Sequence, residues 1–267
     1  MNATETFIKE ENGGTEVMMS KCLRDEVMST KIPEKCGLMR QSACYYCVGS
    51  CGSGKSFLVE SLFKSKTQFY RVFDSINLVC PRSSRSGYKQ SYAKLLNPMK
   101  VHEELNMKTL ELIKDDIMKT NTEGDEKKNQ PRFSALVIDD CASDLRNKQV
   151  QKTLLKMVQN HRHQHLSIFI ISQNFQMLHK SIRDVMSVLI QFKTNSIKEV
   201  KAINEEYLPD YSPKECDDIL YYIFKDKYQF LLVNRRERYI CKSFNPLSIS
   251  TARDRAHEKA CCDECAE

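Results

Sequence analysis

The chain has 267 residues, enough for one α/β domain with extensions or at most two small domains, and long enough to bury a core without staples. Apolar residues make up 41% of it and the net charge is only +6, which excludes a disordered chain and does not by itself imply a nucleic-acid partner. Twelve cysteines do not make it a disulfide scaffold, because Cys44, Cys47, Cys80 and Cys141 lie inside apolar runs where a thiol packs as a small hydrophobe.

The opening stretch, MNATETFIKEENGGTEV, has neither a basic n-region nor an apolar h-region, and no apolar run is long enough to span a bilayer. The expectation is a soluble, reducing, intracellular protein with no membrane contact. Residues 1–40 show no clean period and read as an N-terminal extension. Ala43 to Val48 is a short apolar run ending at a glycine, which predicts a buried strand. Gly54 to Phe63 places Phe57, Leu58, Leu62 and Phe63 at helical spacing. Ser75 to Cys80 predicts a second strand, stopped by Pro81.

Residues 81–100 hold five basic side chains and no acidic one, with Tyr88 and Tyr92 between them. Such a stretch can grip phosphates through its cations and stack bases on its rings, or can simply be a solvated loop. Leu105, Met107, Leu110, Leu112, Ile113 and Ile117 predict a helix over 101–119. The polar segment 120–131 reads as an exposed loop. Ser134 to Asp139, with Ala135, Leu136, Val137 and Ile138 in one continuous apolar run, reads as a strand buried on both faces of a parallel sheet, and Leu166 to Ser172 as a fourth buried strand. Gln149 to Gln159 reads as a helix between them, and Val185 to Phe192 as a fifth strand. Helices are expected at 197–205 and 213–224, and a hairpin at 228–244 around NRRER. Strands alternating with helices predict an α/β fold with a mainly parallel sheet and a C-terminal β-hairpin.

Residues 49–56 read GSCGSGKS, the G-x-x-x-x-G-K-[ST] phosphate loop. At average composition a chance match in a chain this long is on the order of one in a hundred. Three of the eight glycines lie within these eight positions, with a strand before them and a helix after. The N–H groups of Gly49, Ser50, Cys51, Gly52, Ser53 and Gly54 can converge on phosphate oxygens at a helix N-terminus. Lys55 can place its ammonium on the β- and γ-phosphates, and Ser56 can ligate Mg²⁺. ATP and Mg²⁺ are therefore the expected ligands. FSALVIDD ends a buried strand in Asp139 and Asp140. The first suits Mg²⁺, and the second suits the polarisation of an attacking water. A P-loop ATPase domain is expected over 41–248, with 249–267 a charged, cysteine-containing tail.

LSIFIISQN sets Gln173 at the end of its strand, where an amide can sense a γ-phosphate. Arg162 in NHRHQH is a candidate for stabilising transition-state charge, in cis or from a neighbouring subunit, and Arg183 is a second. The alternating His161, His163 and His165 read as cations at a helix C-terminus rather than as metal ligands. Cys44 and Cys47 form C-x-x-C inside a strand, the wrong place for a redox pair. In the tail, His257, Cys261, Cys262 and Cys265 match no standard zinc spacing.

Taken together, CYYCVGSCGSGKSFL, SINLVCP, ALVIDD, NHRHQHLSIFIISQNF and SIRDVMSVLIQF resemble the viral genome-packaging ATPases of the FtsK/HerA superfamily, as found in poxviruses, other large DNA viruses and Polinton-like elements. The phosphate loop alone says only P-loop NTPase; the order of the later segments is the specific part. The resemblance covers about residues 40–195. It implies a RecA-like core, a homo-oligomeric ring, ATP-driven translocation of double-stranded DNA into a capsid, contact with a capsid or portal protein, and a place in the host cytoplasm, the nucleus or the virion. It also implies Lys55 and Ser56 at phosphates and metal, Asp139 on Mg²⁺, Asp140 as catalytic carboxylate, Gln173 as sensor and Arg162 as finger. One departure is Asp140, which stands where many of the wider superfamily carry glutamate. The competing readings are a P-loop small-molecule kinase, against which the lack of an arginine-rich lid argues, and a non-motor nucleotide-binding assembly protein.

Overall fold

The computed structural model describes residues 7–10, 42–66, 68–87, 100–128 and 132–250. The strands are β1 (Phe7–Glu10), β2 (Cys44–Val48), β3 (Ser75–Val79), β4 (Lys100–His102), β5 (Ser134–Asp139), β6 (Leu166–Ser172), β7 (Val188–Phe192), β8 (Phe230–Asn234), β9 (Tyr239–Lys242) and β10 (Asn245–Ser250). The helices are α1 (Lys55–Lys64), α2 (Met107–Lys128), α3 (Lys148–Asn160), α4 (Lys180–Arg183), α5 (Ile197–Tyr207) and α6 (Pro213–Ile223). The ten strands form one sheet in the order β1-β10-β9-β8-β7-β2-β6-β5-β3-β4. From β4 to β7 all neighbours run parallel, and β8, β9, β10 and β1 extend the sheet antiparallel.

The central strands β2, β5, β6 and β7 are buried at every position because both faces of the sheet are covered. Cys44, Tyr46 and Val48 of β2 point into a core built with α2, α3, α5 and α6. Tyr45 and Cys47 point the other way, into a core built with α1, Phe69 and Phe169. The C-x-x-C pair therefore sits on opposite faces of one strand, and burial pushes both thiols far above their ordinary range. Both side chains are core residues. The helix starts follow local chemistry. Asn147 accepts from the backbone N–H of Gln149 at the start of α3, and Ser212 forms a capping box with Glu215 ahead of Pro213.

Three local expectations need correcting. Helix α2 runs through the polar segment expected as a loop, ending at Lys128. Lys and Glu are strong helix formers, and one glycine costs a helix only about 1 kcal/mol. Residues 7–10, read as part of an irregular extension, form β1 and pair with β10. Strand β7 starts at Val188 because Ile182 to Ser187 are taken up by α4 and a turn. Tyr88, Lys89 and Tyr92 of the basic stretch lie outside the described residues, as does the His257–Cys265 cluster. Among the described residues, no helix is long and apolar enough to cross a membrane.

Candidate active site

In a parallel sheet the C-terminal strand ends share one edge, and ligands settle there. Here β2, β5 and β6 deliver the phosphate loop, Asp139 and Gln173 to that edge. Gly49 donates its N–H to the carbonyl of Ser172 (3.2 Å), which ties the loop's first residue to the end of β6. A Cβ on Gly49 would come within 2.6 Å of the Phe192 Cβ, so only glycine fits there. Gly54, at φ 99°, turns the chain into α1, a conformation that L side chains rarely adopt. Ser50, Cys51 and Gly52 are exposed, while Ser53 and Gly54 are half-buried.

Lys55 is buried, and its Nζ donates to the Ser50 carbonyl across the loop at 2.7 Å. Burial lowers its pKa from the ordinary lysine value, so the ammonium sits where an anion would relieve a desolvation cost. Ser56 Oγ donates to Asp139 Oδ2 at 2.7 Å, joining the loop to the acidic strand end. Asp139 is buried and its pKa is raised to about 6, mainly by desolvation, with the Ser56 bond acting in the opposite direction. A cation between these two oxygens would compensate the buried charge. Hard oxygen donors at a cavity wall, with room for waters, fit Mg²⁺, which keeps much of its water shell.

Asp140 is exposed, with its backbone in the left-handed region at φ 55°. Strained positions of this kind cost on the order of 1–3 kcal/mol and gather at functional sites. The turn aims the carboxylate at the cavity. There Oδ1 accepts from Gln173 Nε2 at 3.2 Å, and Oδ2 accepts from the Ser84 hydroxyl. A cavity of about 330 Å³ opens over these groups, walled by Lys55, Ser56, Ser84, Asp139, Asp140 and Gln173. The Lys55 ammonium and the two carboxylates at its wall are the groups that a polyphosphate with a bound cation would meet.

The structure thus brings together Gly49 to Ser56, Asp139, Asp140 and Gln173. It does not bring Arg162 or Arg183 to them. Arg162 lies in the turn before β6, close enough to Cys44 at the start of β2 to affect its thiol. Seven residues of β6 separate that turn from Gln173, a span of about 23 Å at strand rise. An in-cis finger role for Arg162 is therefore excluded. Arg183 precedes β7 at the same far edge, and its guanidinium is consumed there. Its Nε donates to Glu206 Oε2 at 2.8 Å and its Nη1 to the Leu178 carbonyl at 2.6 Å, with the Phe175 ring 4.7 Å beneath. Tyr207 and Arg235 donate to the Arg183 carbonyl.

Arg183 therefore holds α4, α5 and the end of β8 together. Arg183→Ala should cost about 3–5 kcal/mol of stability, since it strands the Glu206 carboxylate in a nearly buried setting. A urea titration reads this directly, and a midpoint equal to wild type would contradict it. The double variant Arg183→Ala/Glu206→Gln should recover part of the loss.

Ser84 escaped the sequence reading. It follows β3, and only the strand order, with β3 beside β5, brings it to Asp140. Among the described residues, no group of three or more His, Cys, Asp or Glu side chains is placed to hold a metal. His161 is buried at the end of α3, where its Nδ1 contacts the Val158 carbonyl and burial lowers its pKa.

The sequence profile of a family described as "Poxvirus A32 protein" matches residues 35–207. No curated protein matches the chain. Several solved structures are similar. The genome packaging NTPase B204 from Sulfolobus turreted icosahedral virus 2, in complex with ATP-gammaS, aligns with a TM-score of 0.55 at 18% identity, covering 76% of this chain and 97% of that one. B204 from Sulfolobus turreted icosahedral virus, described as a DNA-packaging ATPase, gives 0.56 at 18% over 76% and 97%. The cytoplasmic domain of the type VII secretion ATPase EccC from Thermomonospora curvata gives 0.52 at 13%, over 78% of this chain and 25% of that one. At such identities these likenesses establish the fold, that of P-loop ATPases.

Proposed function

Because the chain belongs to the Poxvirus A32 protein family, we propose that it is a viral genome-packaging ATPase, a motor that hydrolyses ATP to move double-stranded DNA into a capsid. The observation that carries the hydrolytic half is the Ser56–Asp139 contact of 2.7 Å. It joins the glycine-lined loop to the acidic strand end, and both line one cavity. The packaging half rests on the family and on the likeness in fold to B204, a DNA-packaging ATPase.

In this reading the loop N–H groups from Gly49 to Ser56 bind the phosphates, and Lys55 neutralises charge on the β- and γ-oxygens. Ser56 and Asp139 would hold Mg²⁺, which supplies charge neutralisation on the same oxygens. Asp140 orients the attacking water and draws off its proton, while the Gln173 amide, already on Asp140, reports whether a γ-phosphate is present. Arg162 can act only in a neighbouring copy's site, so the finger role requires the ring.

Movement of DNA requires grip that changes with nucleotide state. Arg82, exposed and ion-paired with Glu103 at 2.7 Å, begins the basic stretch that would supply it. The next contact along, Ser84 on Asp140, links that stretch to the hydrolytic carboxylate. Phosphate release by the 267-residue chain, measured with and without duplex DNA over a salt series, tests the proposal. Stimulation by duplex that fades as salt rises is expected. Turnover indifferent to DNA but raised by a small hydroxyl acceptor would instead identify a phosphotransferase.

A further inference from the structure

A nucleotide also carries a base, and its place follows from the way the site is built around β2. The γ end of a triphosphate is fixed by Asp139, Asp140 and Gln173, at the ends of β5 and β6 on one flank of β2. The nucleoside must leave by the other flank, where β7 and β8 lie. We propose that the ring of Tyr228 is the platform on which the purine base of the bound nucleotide stacks; this rests on the ATP-binding reading above.

Four observations converge on that ring. The register pairs Val48 with Gln191, so Phe192 stands beside Gly49, and its ring comes within 3.9 Å of where a Gly54 Cβ would be. Phe192 also pairs with Phe230, the first residue of antiparallel β8, so the turn before β8 lands on the same edge as the phosphate loop. Tyr228, in that turn, has its Cδ1 3.8 Å from the same point on Gly54. Finally, its own state is unusual: the residue is 70% exposed, and its backbone φ is 63°. A bulky residue in the left-handed region is an outlier, and an exposed one there gains no core packing in exchange.

The neighbouring aromatics differ. Phe192 and Phe230 are buried, with ring centroids 5.3 Å apart, and Phe230 packs 5.2 Å from Phe244. They back the loop, and Tyr228 offers an open face beside it. Stacking on a ring face does not read base edges, so the site should accept adenine and guanine alike.

Binding of ADP and of inorganic tripolyphosphate to the 267-residue chain separates the base from the phosphates. Tyr228→Ala should weaken ADP by about tenfold and leave tripolyphosphate unchanged, while Tyr228→Phe should bind both as wild type does. Tyr228→Gly should weaken ADP as alanine does and raise the melting temperature, because glycine relieves the left-handed strain. Equal weakening of both ligands would mean that the residue only shapes the loop, and would overturn the proposal. ADP affinity unchanged while the assembly state shifts would overturn it in favour of a contact between copies. A wild-type chain that binds neither probe would overturn the ATP-binding reading itself, and this proposal with it.

Discussion

Lys55→Ala should reduce ATP turnover by about a thousandfold, the upper range for losing one preorganised charge-stabilising donor. The side chain is buried, with its Nζ held 2.7 Å from the Ser50 carbonyl, so the ammonium is already positioned before any phosphate arrives. Desolvation lowers its pKa, which means that the folded protein bears a cost for the charge. A triphosphate recovers that cost, and most of all in the transition state, where charge on the γ-oxygens is redistributed. The variant should be at least as stable as wild type in a thermal melt, because a desolvated cation has been removed. Arginine should not rescue it: the planar fork is wider than an ammonium and cannot occupy the same cradle. Phosphate release near the wild-type rate in Lys55→Ala would remove the loop from the chemistry, whatever its sequence.

Much of this site was legible in the sequence because its parts are local. The phosphate loop needs eight consecutive residues, and the strands ending in Asp139 and Ser172 each carry four consecutive apolar residues, Ala135–Ile138 and Ile168–Ile171, just before a sharp polar end. What could not be read depends on which strands are neighbours. Ser84 reaches Asp140 only because β3 lies beside β5, and Tyr228 reaches the loop only because β8 pairs antiparallel with β7. The two arginines illustrate a signal that was present and unused. A residue just ahead of a parallel strand lies on the edge opposite the strand's C-terminal end. Arg162 precedes β6 and Arg183 lies a few residues before β7, so chain order alone placed both away from their own phosphate loop. The short strands β1 and β4 carry too few residues to show a period. Helix α2 outran its apolar stripe, because helix propensity continued through a segment whose hydrophobic pattern had ended.

Asp140→Asn should lower kcat by about 10²–10⁴, the range for removing a general base, while ATP affinity stays close to wild type. The substitution suits the site. Asparagine tolerates the left-handed backbone found at φ 55°, so the turn that presents the side chain should persist. Its amide can still accept from Gln173 and meet the Ser84 hydroxyl, the two partners of the carboxylate. What it lacks is the negative charge and the capacity to take a proton from water. A fall in kcat without a rise in KM would therefore report chemistry rather than shape. Asp139→Asn makes the contrast. That side chain is buried against Ser56 Oγ at 2.7 Å, so its loss should appear first as weaker magnesium-dependent nucleotide binding. Should the two variants prove indistinguishable in both kcat and nucleotide affinity, the division of labour between the adjacent carboxylates would fail. Asp140→Glu tests reach: one added methylene carries the carboxylate beyond its Gln173 and Ser84 partners, so turnover should drop unless that turn can draw back by a comparable distance.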